Sequence, residues 1–294
     1  MAWIGRTLAA FGFLVISASA MAQAPGLGAG AELVDTHVFR VCADPSDLPS
    51  SNQARQGFEN KIAALFAKQL GRKLGFTWQP QVFGFLPLTL DVYRCDVVMG
   101  VTQGFAQVDN TNAYYRSAYA LIFRRHSGFD GITNLEDPRL KGKRIGVIAG
   151  TPPATILAEE GLLDHVHSYE LEVNLRYFAP AADMAHDVED GHIDIGILWG
   201  PIAGYYAHQS HGQLRIVPLL HEPSDVPMAF SIVMGVRKGE DAWRRTLNSL
   251  IARDQAEIDR ILVSYGVPLL DNRNRPISPA GVSTPDSQPA GSEH

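Results

Sequence analysis

Cysteine is nearly absent: only Cys42 and Cys95 occur in 294 residues, too few for a disulfide-dense scaffold or a four-cysteine metal centre. Basic side chains are in the minority, 25 Lys and Arg against 31 Asp and Glu, for a net charge of −6. With no basic stripe, the electrostatic footprint of a nucleic-acid binder is excluded. Catalytic signatures are missing too. There is no Gly-x-Ser-x-Gly elbow, HExxH helix, phosphate loop or EF-hand loop. The ten histidines are dispersed, and the closest pair, His165 and His167, has no third ligand nearby. Asp183, Asp187, Glu189 and Asp190 keep the helical spacing of a solvated face. These absences predict a non-catalytic chain without metal or cofactor. Beyond the amino terminus no stretch is long and apolar enough to span a bilayer, so no membrane insertion is expected.

What is present begins with an export signal. Met1 to Arg6 is short and positive, Thr7 to Ser19 is an apolar core too short to cross a membrane, and Ala20-Met21-Ala22 is a small-residue cleavage site. Removing 1–22 takes the net charge to about −7, an acidity that suits a basic protein partner or simply a solvated surface. In an oxidising compartment two cysteines usually pair. If Phe39–Ala43 and Asp96–Gly100 are neighbouring parallel strands, however, Cys42 and Cys95 stand roughly 10 Å out of step. The residues leave the Cys42–Cys95 disulfide open.

The remaining ~270 residues are enough for two lobes with separate cores. A Gly/Ala/Pro-rich leader covers 23–36. Strand Val38 to Ala43, a helix from Gly57 to Gly71, strand Phe76 to Pro80, a helix over 84–93 and the buried strand Cys95 to Val101 predict a β-α-β-α-β unit with an open parallel sheet. The loop Thr102 to Asn112 and the aromatic segment Tyr114 to Phe123 follow, and the latter reads as a strand crossing to a second unit. There the alternation resumes, with strand Arg144 to Ile148, a helix from Ala154, strand His167 to Leu171, a helix over 181–190 and strand Ile193 to Leu198. Met228 to Val236 is a strand that can return to the first unit. Two helices, 242–253 and 255–265, end at Gly266-Val267-Pro268. The chain from Asp271 to His294 is poor in apolar residues and predicted disordered. The expected lobes are 37–125 plus 226–270, and 126–225. Ligands of such sheets lie beyond the carboxyl ends of the strands.

Several segments carry a resemblance: Arg40 to Pro45, Gly57 to Ile62, Arg94 to Val101, Tyr114 to Ser117, Asp137 to Leu140 and Trp199 to Tyr205. Together they resemble the quinoprotein-dehydrogenase-associated periplasmic binding proteins of MoxJ/XoxJ type, a branch of the type II solute-binding fold of ABC transporters. The resemblance covers nearly all of residues 37–270. It implies a periplasmic location and two α/β lobes joined by two crossing hinge strands with a cleft between. It also implies an accessory role for a PQQ-dependent methanol dehydrogenase, with that enzyme, and its c-type cytochrome, as partners in its maturation or activation. Amino-acid-binding relatives place an Arg in the loop after the third strand to grip a carboxylate. Thr102 to Asn112 contains neither Arg nor Lys, so an α-amino acid is a poor ligand.

The cleft candidates are Asp44, Asn52, Thr102, Gln103, Tyr114, Tyr115, Thr151, Trp199 and Tyr205. Asp44 before Pro45 also suits a turn. Thr102 and Gln103 leave the end of a central strand. Tyr114 and Tyr115 are hinge aromatics or ligand stackers. Thr151 is a helix cap or an anion donor. Trp199 is a platform, a protein-contact anchor or a core residue. Two other functions remain in view, a transporter's binding protein for a small non-amino-acid solute and a cleft-based lyase.

Overall fold

The computed structural model describes residues 32–171 and 174–278. The expected signal peptide, the leader as far as residue 31 and the tail from 279 lie outside the described residues. Strand β1 (Val38–Ala43) ends in three buried side chains and leads into a tight hairpin, β2 (Ser46–Asp47) and β3 (Ser51–Asn52). Helix α1 (Phe58–Leu70) follows. Its start is fixed by Asn60, whose Oδ1 accepts from the Gly57 and Asn52 amides. Gly71, at φ 64°, stops it in the left-handed conformation.

Strand β4 (Lys73–Trp78) precedes α2 (Phe85–Leu88). The helix expected over 84–93 is this single turn: the Thr89 hydroxyl bonds back to the Phe85 carbonyl and the chain continues as turns. Then come β5 (Val97–Thr102) and the 16-residue β6 (Asp109–Arg124). Beyond β6 lie β7 (Ile145–Ile148), α3 (Pro152–Glu159), β8 (Val166–Tyr169), α4 (Pro180–Glu189) and β9 (Ile195–Trp199). The chain ends with α5 (Gly200–Gln209), β10 (Leu214–Pro218), β11 (Ala229–Val236) and α6 (Asp241–Ser264).

The sheet runs β4-β1-β5-β11-β6-β9-β7-β8, with β10 also paired to β6. Strands β4, β1 and β5 are mutually parallel, as are β9, β7 and β8, while β6 and β11 run antiparallel to their neighbours. From Asp109 to Ala118, β6 pairs with β11; from Tyr119 onward it pairs with β9 and β10. One strand therefore belongs to both halves of the sheet. Each half has its own apolar packing. Phe39, Phe58, Ile62, Phe66, Trp243 and Leu247 pack in the first, and Leu121, Phe123, Leu140, Ile145, Ile156 and Ile195 in the second.

Three further sequence expectations change. Helix α6 is continuous where two helices were expected, because the polar break at 253–255 is a contact: Gln255 Nε2 donates to the Tyr114 carbonyl and to Asp259. The tail is ordered as far as 278. Leu270 bridges Pro276, the Asp271 carboxylate accepts the Arg273 and Arg275 amides, and Asn274 accepts from Arg116 Nε. A segment poor in apolar residues is thus held by hydrogen bonds. The third concerns the cysteines. Cys42 faces Val98, three residues past Cys95 as expected, yet the two cysteines are bonded with their Cα atoms 5.5 Å apart. The chain bends at Asp96, so Cys95 leaves the strand line and turns back toward Cys42.

That bend is anchored by charge. Asp96 is 1% exposed, and its carboxylate accepts from Arg40 Nε at 2.7 Å and Nη2 at 2.6 Å and from Arg237 Nη2 at 2.7 Å. Arg237 also donates to the Leu90 and Cys95 carbonyls and pairs with Glu240 at 2.7 Å. Elsewhere the halves meet backbone to backbone. A Cβ on Gly204 of α5 would overlap the Gly266 carbonyl after α6, and one on Gly200 would overlap the Ala118 carbonyl of β6. Among the described residues no helix is long and apolar enough to cross a membrane.

Candidate functional site

A cavity of about 340 Å³ opens where the two halves of the sheet meet. The carboxyl ends of β1, β4 and β5 and the start of α1 bring Asp47, Ser50, Glu59, Gln81, Gly100 and Thr102 to one wall. Strands β6 and β11 supply Tyr115, Tyr119, Phe230 and Ile232, and the second half supplies Pro152, Trp199 and Ile202. Parallel strand ends are where ligands of this architecture sit.

The aromatic side is an edge-to-face cluster. The Trp199 ring lies 5.4 Å from Tyr119 at 66° and 6.0 Å from Phe230 at 64°, and Tyr119 and Phe230 are 6.4 Å apart. Trp199 stands at the turn from β9 into α5. Tyr115 bonds to it and packs edge-on to Phe58 and Tyr114. Burial pushes the Tyr119 hydroxyl up to about 12 and raises those of Tyr114 and Tyr115 as well.

The opposite side is acidic. Glu59, in the first turn of α1, accepts from the Tyr114 hydroxyl at 3.3 Å, and that hydroxyl accepts from the Gly100 amide at 3.0 Å. Gly100 is required there, since its φ is +73° and a Cβ would stand 2.6 Å from Glu59 Oε1. Burial, with the nearby Asp47 charge, pushes the Glu59 carboxyl up to about 8 against the opposing Tyr114 bond. Burial, with the Asp44 charge, pushes Asp47 up to about 6, opposed by a bond to Ser50.

Both groups bind protons more tightly folded than unfolded, so their contribution to stability is fully present below the ordinary carboxyl range and is lost as pH rises through about 6 and then about 8. Glu59→Gln is expected to flatten the upper part of that decline. Chemical denaturation at pH 5, 7 and 9 checks it; an unchanged slope between pH 7 and 9 would contradict the assignment.

Of the sequence candidates, Thr102, Tyr115 and Trp199 line the cavity together. Asp44 is buried and structural: its carboxylate accepts the Ser46 and Gln81 amides, which places the hairpin bearing Asp47 and aims Gln81 inward. Asn52 is tied to Gln56 and the Asn60 carboxamide. Gln103 is exposed outside the cavity, its amide donating to the Ser231 carbonyl. Tyr114 is fully buried beneath Glu59. Thr151 neither caps α3 nor faces a ligand, because its hydroxyl donates to the Ile148 carbonyl; its neighbour Pro152 lines the wall instead. Tyr205 lies outside the cavity, edge-on to Tyr206 at 5.3 Å.

Sequence reasoning missed Asp47, Glu59, Gln81 and Phe230. Glu59 had a signal, an acidic residue in the first turn of a helix that follows a rim loop; the others are placed only by tertiary packing. Among the described residues no Arg or Lys lines the cavity. Arg116 is turned away toward Asn274, Ser231 and the Ala229 carbonyl. A second hollow of about 300 Å³ is walled by Glu136, Glu159, Glu160, Glu222 and Asp225, and among the described residues no group of three His, Cys, Asp or Glu side chains is placed to hold a metal.

No family model matches the chain. Protein MoxJ of Methylorubrum extorquens is 32% identical over 292 residues, covering 92% of this chain and 95% of its own length. The chain belongs to the MoxJ/XoxJ family. MoxJ of Paracoccus denitrificans agrees, at 30% identity over 84% of this chain and 97% of its own. The crystal structure of periplasmic binding protein XoxJ from Methylobacterium extorquens AM1, a member of the same MoxJ/XoxJ family, is 40% identical at a TM-score of 0.68, covering 80% of this chain and all of that one. An ancestral cationic amino acid solute-binding protein, 22% identical at a TM-score of 0.63 over 78% of this chain and 95% of that one, shares the fold. The type II periplasmic binding fold expected from the sequence is thereby established, and such relatives are consistent with a periplasmic location.

Proposed function

We propose that this MoxJ/XoxJ-family protein is a non-catalytic periplasmic accessory of a PQQ-dependent methanol dehydrogenase. In this reading it holds a segment of the enzyme, with or without its c-type cytochrome, in the cleft between lobes 37–125 plus 226–270 and 126–225, and aids maturation or activation. The names of its MoxJ and XoxJ relatives support the assignment. The observation that carries it is the rim of the cleft. Phe83, 97% exposed, lies two residues from the cavity-lining Gln81, and exposed Phe105 lies three residues beyond Thr102. On the second half, exposed Leu171 lies beside the Gly150 turn that precedes Pro152. Apolar side chains left in water around a concavity mark a surface that a protein covers.

The test is a pull-down from periplasmic extract with the tagged mature protein, followed by dehydrogenase assays with and without it. Capture of a quinoprotein dehydrogenase and a rise in its activity are expected. The double variant Phe83→Ser, Phe105→Ser is expected to lose capture by roughly tenfold or more, the scale of an interface anchor. If the enzyme is neither captured nor activated, and a small molecule stabilises the protein, the transporter-type solute-binding reading replaces this one. The raised carboxyl of Glu59 is what favours cleft chemistry. Full accessory activity in Glu59→Gln removes the lyase reading.

A further inference from the structure

The chemistry of the cavity walls selects the charge of its occupant. Asp47 and Glu59 are the acidic groups among the lining residues, and among the described residues no Lys, Arg or His stands with them there. An anion would meet two carboxylates and no cationic partner. A wholly apolar ligand would strip water from those carboxylates and return nothing, which disfavours it. A metal dication needs converging ligands, and among the described residues no three His, Cys, Asp or Glu side chains converge. What remains is a cation with an apolar body. The opposite wall suits it, because Trp199, Tyr115, Tyr119 and Phe230 present π-systems that attract a desolvated cation and cover its carbon stem. Ser50, Gln81 and Thr102 add neutral hydrogen-bonding groups beside the carboxylates.

We infer that the cleft seats one organic cation, an alkylammonium or a guanidinium, between the carboxylates of Asp47 and Glu59 and the rings of Trp199, Tyr115, Tyr119 and Phe230. The cation has two sources. It is a free periplasmic amine, or it is a Lys or Arg side chain on a segment that enters the cleft. The inference goes beyond the accessory role and does not depend on it. Glu59 is faced by Asp47 from the β2–β3 hairpin and by Tyr114 and Tyr115 from β6. Its carboxyl retains a proton at neutral pH, so an arriving cation displaces that proton and binding strengthens as pH rises toward 8.

The experiment uses the full mature protein, titrated by calorimetry and by Trp fluorescence with n-pentylammonium, n-butylguanidinium, 1-pentanol and pentanoate. Saturable binding of the two cations, a matching rise in Tm and no response to pentanol or pentanoate are expected. The double variant Asp47→Asn, Glu59→Gln is expected to lose cation affinity at least tenfold while its unliganded Tm stays at or above that of the parent, which separates loss of the site from loss of the fold. Should that variant fail to fold, Trp199→Leu provides the same comparison from the aromatic wall. Binding of a capped Lys-containing pentapeptide more tightly than pentylammonium, with no binding of its norleucine counterpart, identifies a protein-borne cation; the reverse order identifies a free amine. Equal response to pentanol, or no saturable binding of either amine or of the Lys peptide at millimolar concentration, overturns the inference. Failure of dehydrogenase capture leaves these titrations readable, so the two proposals fail separately.

Discussion

Asp96→Ala is expected to lower folding stability by about 3–5 kcal/mol, the scale of breaking a buried ion pair by deleting one partner. The Asp96 carboxylate is shielded from water and holds both Arg40 and Arg237. Arg237 is itself 8% exposed, and without Asp96 its remaining carboxylate partner among the described residues is Glu240, whose own carboxyl is pushed up by burial. The loss therefore comes mainly from a buried Arg237 guanidinium left with fewer partners, the Glu240 carboxylate and the Leu90 and Cys95 carbonyls. Urea denaturation of the parent and of Asp96→Ala measures it, with Asp137→Ala as the control. Asp137 pairs with Arg139 at 2.7 Å at the surface, and such exposed pairs contribute ~1 kcal/mol or less. Equal losses in the two variants would refute the account.

Replacing both cysteines by serine is expected to have an effect of similar size. The Cys42–Cys95 bond closes a loop across a sequence separation of 53. The chain-entropy model gives ~4 kcal/mol for a loop of that length. Reduction with dithiothreitol should reproduce the shift in denaturation midpoint seen in Cys42→Ser, Cys95→Ser and have no further effect on that variant. A midpoint insensitive to reduction would mean the bond is not formed in the folded protein.

The parallel strands were legible because buried runs such as Val97 to Val101 and Ile195 to Leu198 are short, β-branched and bounded by turns. The crossing strand was legible from its aromatic residues, of which Tyr115 and Tyr119 do reach the cleft. The absence of Arg and Lys from the loop after β5 was equally plain in the sequence. Pairing geometry was less accessible. The three-residue register offset of Cys42 and Cys95 was read correctly, but not the distance that follows from it: a bend at Asp96 overrides strand arithmetic, and Asp96 is held there by Arg237, which lies 141 residues further along. Asp47 was invisible for the same kind of reason: a two-residue strand in a polar loop has no periodicity, and its position is set by Asp44 and Gln81. Asp44, Tyr114 and Thr151 lie near the cavity, yet local hydrogen bonds use up the polar groups that composition alone left available.

The glycine seam of α5 has a consequence for how this cleft can diverge. Because Gly200 and Gly204 press on the Ala118 and Gly266 carbonyls, the helix cannot slide or rotate against its support without collision. Trp199 is the residue immediately before that helix, so the height of its ring in the cavity is set by contacts that no ligand touches. Evolution or engineering can therefore exchange the indole for another side chain and retune what is recognised, but it cannot relocate the platform. The socket is fixed and its lining is interchangeable.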